Sequence, residues 1–79
     1  MQSSTNYNHD VLEKLCLDTR SQFDSRVWFS PFLRLEASRA MFSIEMLTAD
    51  GDLEGASTWR EALMLDLARD IAFENACTA

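Results

Sequence analysis

A stripe that returns every third or fourth residue marks the first element of this chain: Leu12, Leu15, Cys16, Thr19, Phe23 and Val27. That is the period of an α-helix with one buried face, and it predicts a helix over about 11–26. Asp10 and Glu13 stand at D-x-x-E spacing, a capping-box-like start in which the Asp side chain can accept from free N–H groups. Residues 1–9 are polar and aperiodic and are read as a flexible N-terminal arm.

Ser30-Pro31 opens the next element. Ser caps, and Pro suits the first helical position, where its missing N–H costs nothing. A helix is predicted over about 31–48, and at 100° per residue it is apolar on two nearly opposite faces. Leu33, Ala37, Ala40, Met41, Ile44 and Leu47 make one; Phe32, Leu35, Phe42 and Met46, with Arg39 among them, make the other. Such a helix is either central between two neighbours or lends one face to an interface. For the second face the two readings stand level, and its residue types are those enriched where proteins meet. Trp28 and Phe29 are expected as a staple or at the rim of that surface.

Thr58 and Glu61 form a capping box, T-x-x-E, and predict a third helix over about 58–75. Its apolar face is expected from Met64, Leu65, Leu67, Ala68, Ile71 and Ala72, with Asp66, Asp70 and Glu74 lined up on the other side at steps of four. Pro31 interrupts the one stretch with strand-like composition. The fold expected is all-α: a flexible arm over 1–9 and a single domain over 10–79, a small three-helix bundle with the second helix in the middle.

Composition adds two constraints. At 79 residues a domain buries only about 60% of its unfolded surface, yet 47% of the residues are hydrophobic, so part of the apolar surface is expected to meet another chain, as in a homodimer. The net charge of −6 is concentrated: residues 1–44 balance five acids with five bases, whereas residues 45–79 carry eight acids against Arg60 and Arg69. That distribution speaks against direct binding to nucleic acid and suits a basic or mixed protein surface. Without a leader-like start or an apolar run of membrane length, a cytoplasmic protein with reduced Cys16 and Cys77 is expected.

The segment from Asp50, D-G-D-L-E-G-A-S-T-W-R-E, resembles the twelve-residue calcium loop of the EF-hand family. Asp50, Asp52 and Glu54 fall on the first, third and fifth ligand positions, Ala56 on the carbonyl-donating seventh, Thr58 on the ninth and Glu61 on the twelfth, with Gly55 at the turn. The resemblance implies weak calcium binding at this one loop. It departs from the family's pattern at Glu54, longer than the usual Asp or Asn, and at Ser57, where a branched apolar residue normally pairs with a second hand. A glycine-containing turn that runs into a capped helix accounts for the same residues without metal, and is the preferred reading.

His9, the only His, lies in the arm, so no catalytic residue, metal site or cofactor is expected. The chain is read as a small acidic interaction module, an inhibitor or regulatory adaptor of microbial or phage type, without catalytic or membrane activity. Its partner surfaces are expected at Phe32, Leu35, Arg39, Phe42 and Met46 and at Asp50, Asp52, Glu54, Asp66, Asp70 and Glu74. Two alternatives accompany this: the single calcium loop at 50–61, and a nucleic-acid mimic whose carboxylate row occupies a basic cleft.

Overall fold

The protein is described by a computed structural model that covers the backbone of residues 2–78 and the side chains of residues 9–78. It contains three helices, α1 (Gln2–Ser25), α2 (Pro31–Asp50) and α3 (Leu53–Thr78), and no strand among the described residues. The expected all-α bundle is the fold observed. α1 includes Asp10, so that residue stands inside the helix instead of capping it. The side chains of the arm expected over residues 1–9 lie outside the described residues, His9 excepted.

α2 begins as its sequence dictates. Ser30 sits in extended backbone, φ −102° and ψ 120°, its Oγ accepts from the Leu33 N–H at 3.3 Å, and Pro31 follows. The helix runs two residues past expectation, to Asp50, because Gly51 alone stops it. Gly51 has φ 78°, and the turn closes with Gly51 N–H donating to the Thr48 carbonyl at 3.1 Å and Asp52 N–H to Leu47 at 2.9 Å. This paired arrangement satisfies two of the carbonyls that every helix end leaves free. Gly51 is needed for its left-handed backbone, since nothing lies within 4 Å of where a Cβ would be.

α3 starts five residues earlier than the Thr58 capping box predicts. Asp52 is the cap: its Oδ1 accepts from Gly55 N–H at 2.9 Å and its carbonyl from Ala56 N–H at 3.0 Å. A Cβ at Gly55 would lie 2.6 Å from Asp52 Oδ2, so the glycine makes room for the capping carboxylate. Thr58 is inside the helix, where its hydroxyl donates to the Glu54 carbonyl at 3.0 Å. The earlier start turns Ala56 wholly into the interior, and this burial favours the first cap over the second. What looked like a twelve-residue loop is therefore a two-residue connection, Gly51 and Asp52. Asp50 ends α2, and Glu54, Ala56, Thr58 and Glu61 belong to α3, so no loop exists to wrap an ion. Among the described residues no three His, Cys, Asp or Glu side chains converge.

Ala37, Ala40, Met41 and Ile44 of α2 and Leu63 of α3 form the central cluster, with Leu15, Cys16, Phe23, Trp28 and Met64 packed against it. Ala37 and Ala40 bring α2 close to its neighbours, and the α2–α3 contact is the most extensive. Phe23 and Trp28 pack at 5.6 Å between ring centroids, and the Trp28 indole N–H donates to the Phe23 carbonyl at 3.3 Å. Val27, expected on the buried stripe of α1, lies beyond the helix end and is 88% exposed. Polar ties complete the docking of α1. Buried Thr19 accepts from Arg60 Nε at 3.1 Å, Arg60 also reaches Asp18 at 3.0 Å, and Arg20 pairs with Glu45 at 2.6 Å. No helix among the described residues is long and apolar enough to cross a membrane.

The two competing caps make different predictions. Asp52→Ala is expected to cost about 1 kcal/mol, lowering Tm by roughly 4–8 °C, while Thr58→Ala should change stability by less than about 0.5 kcal/mol. Thermal melts followed by circular dichroism would reverse this order if Thr58 were the cap.

Candidate functional site

The α2 faces separate cleanly. Ala37, Ala40, Met41 and Ile44 are buried, and the opposite stripe faces outward: Phe32 is 67% exposed, Leu35 51%, Phe42 64% and Met46 54%, with Arg39 exposed between them. α1 and α3 both pack on the inner side, so the second apolar face is surface and not core. Its five members follow one another at steps of three, four, three and four, a seam about 21 Å long at 1.5 Å rise per residue. The seam ends near the α2–α3 turn, where Asp50, Asp52 and Glu54 are exposed. Asp50, Asp52 and Glu54 thus remain an accessible acidic group, although Asp52 is engaged as the α3 cap.

The acidic row of α3 is not where the spacing suggested. Asp70 is fully buried, Asp66 retains 8% exposure, and Glu74 is half-buried. The helix is rotated so that these acids turn toward the bundle, while Leu65, Ala68, Ile71 and Ala72 of the expected apolar face are exposed. Asp70 accounts for the rotation. Its Oδ1 accepts from Ser30 N–H at 2.8 Å, and its Oδ2 accepts from Phe29 N–H at 2.9 Å and from Arg26 Nε and Nη2 at 3.0 and 2.8 Å. Arg26 Nη2 also reaches Glu74 Oε1 at 2.6 Å. The carboxylate thus meets the free N–H groups just ahead of α2, where the helix dipole also favours negative charge. Asp66, Asp70 and Glu74 do not form a solvated row, and the nucleic-acid-like spacing of charge is lost with them.

Arg26 received no role from sequence reasoning. The available signal was the pair Asp70 and Glu74 at i, i+4, whose mutual repulsion calls for a shared cation. Phe29 and Phe73 lie beside this clip, edge to face at 5.7 Å. An open groove of about 380 Å³ between α1 and α3 is lined by Ser21, Gln22, Ser25 and Arg26 among others, but Arg26 is already taken up by Asp70 and Glu74.

The two buried acids titrate in opposite directions. Burial pushes Asp70 up, but the N–H groups of Phe29 and Ser30 and the Arg26 guanidinium outweigh it and hold the carboxyl below its ordinary range. Asp66 is pushed up, first by burial and then by the nearby Glu36 charge, with Arg69 opposing weakly. No family model, curated protein or solved structure matches the chain.

Because the folded-state value of Asp70 is depressed, its contribution is complete above the ordinary carboxylate range and is lost as pH falls through the folded value. Asp66 has the opposite sign, destabilising the fold once pH rises past the ordinary value. Asp70→Asn is therefore expected to lower stability at pH 7 by about 3 kcal/mol, a large share of the roughly 4–12 kcal/mol available to a domain of this size, and to flatten the acid limb of the pH profile. Asp66→Asn should leave stability at pH 7 unchanged or higher. Urea unfolding of both variants from pH 3 to pH 8 checks the signs.

Proposed function

We propose that the chain is a non-catalytic protein-interaction module that associates through the outer seam of α2 and, through its exposed acids, acts on a larger protein as an inhibitor or regulatory adaptor. The observation that carries this reading is the seam itself. Two phenylalanines, a leucine and a methionine are each more than half exposed in one continuous stripe on a single rigid helix, around one arginine. Isolated exposed apolar residues are ordinary on soluble proteins, whereas a contiguous apolar strip marks an interaction surface. Aromatic, Met and Arg side chains are also the types that dominate binding energy.

The seam lies on an element held at both ends, by Asp70 and Ser30 at the start and by the Gly51 turn at the finish. Little conformational entropy remains to be lost when a partner docks there. The exposed acids Asp50, Asp52 and Glu54 at one end of the seam complement a partner surface that is basic or mixed, and they supply orientation and association rate. The net charge of −6, concentrated in residues 45–79, supports the adaptor or inhibitor role toward a basic or mixed partner surface.

Replacement of Phe42 by photoreactive benzoylphenylalanine tests whether any protein occupies the seam. Irradiation in a cell lysate is expected to yield protein adducts mapping to position 42, while the same probe at exposed Glu13 on α1 should yield none of them. A seam that forms no protein adduct ends this reading.

A further inference from the structure

We infer that the occupant of the α2 seam is a second copy of this chain, lying antiparallel, so that Arg39 of each copy rests on Phe42 of the other. The inference rests on the reading of the seam as a protein-binding surface and adds who binds there and in which direction.

The steps of three and four that separate Phe32, Leu35, Arg39, Phe42 and Met46 continue to Ala49. From Phe32 to Met46 they average 3.5 residues, the period that keeps one stripe of a helix facing a second helix along its length. A stripe that pairs with itself around a two-fold axis needs no second surface, and two-fold dimers are the commonest closed assemblies. The remaining question is direction, and charge decides it.

Side by side in the parallel sense, the layers would be identical residues. Arg39 would meet Arg39 in the middle of an apolar strip, two guanidinium groups losing water with no counter-ion between them. At the flanks, Asp50 of the second copy would crowd Glu45, whose charge is already shared with Arg20 of α1. The antiparallel arrangement removes both conflicts. Its layers are Phe32 with Ala49, Leu35 with Met46 and Arg39 with Phe42, each made twice. The bulk of Phe32 is matched by the small Ala49, Leu35 and Met46 are alike in size, and each guanidinium lies over an aromatic ring, a favourable arrangement once water is excluded. The flanking acids meet hydroxyls instead of acids, Glu36 beside Ser43 and Glu45 beside Ser38. Arg39 is exposed and takes part in no ion pair among the described residues, so it is free to take this role.

Light scattering of the full chain across micromolar concentrations is the first measurement, with twice the 9.0-kDa chain mass expected. Phe42→Asp should weaken association by about 30-fold or more while helicity is retained. Direction is read by disulfide trapping in a Cys16→Ala, Cys77→Ser background that removes both free thiols. Leu35→Cys mixed with Met46→Cys is expected to give a crosslinked heterodimer under mild oxidation, and Leu35→Cys alone little product. A wild-type chain that stays monomeric, a Phe42→Asp variant that dimerises unchanged, or efficient trapping of Leu35→Cys with itself each overturns the proposal. A monomeric chain that still gives protein adducts at position 42 would remove the second copy and leave the seam's binding role in place.

Discussion

A single buried carboxylate organises this molecule. Asp70 accepts four hydrogen bonds, two from backbone N–H groups of the segment between α1 and α2 and two from Arg26. Buried ionised groups are tolerated only when paired and fully hydrogen-bonded, and here the donors are of both kinds. Through them α3 holds the connection between α1 and α2, from Arg26 to the Ser30 cap, in one arrangement. The rotation of α3, the placement of Phe29 against Phe73 and the angle at which α2 presents its outer face all follow from that anchorage.

The consequence for the surface is a division of labour among side chains. Charges that the composition suggests are available to a partner are partly consumed inside: Asp66 and Asp70 are buried, and Glu74 shares Arg26. Apolar residues that the composition suggests are core are instead displayed, since a bundle of three helices covers only one side of α2. The chain thus spends polar groups on its own architecture and turns hydrophobic ones outward. That inversion explains how so small a domain carries 47% hydrophobic residues without a core to match.

Sequence patterning was most informative where chemistry is local. Ser30-Pro31 names the start of α2 without help from any other part of the chain, and the two apolar faces of that helix follow from its period alone. At the start of α3 two competent caps, Asp52 and Thr58, lie six residues apart, and only the burial of Ala56 against the other helices chooses between them. The acidic row failed for a related reason. Spacing shows that Asp66, Asp70 and Glu74 share a side of the helix, but which way that side turns depends on Arg26, 44 residues from Asp70 in the chain. Whether the outer face of α2 would be covered depended likewise on how many helices packed around it.

The two-residue connection between α2 and α3 also sets an order of assembly. Two long helices joined by so short a link can find each other early, because closing a small loop costs little chain entropy. Asp70, by contrast, cannot collect its donors until Arg26, Phe29 and Ser30 have been brought back across the length of the hairpin. α1 is held to that hairpin by Leu12, Leu15, Cys16 and Phe23 and by the polar ties of Arg20 to Glu45 and of Arg60 to Thr19 and Asp18. Because the α2–α3 contact is the most extensive in the molecule, amides of that hairpin are expected to exchange more slowly than those of α1.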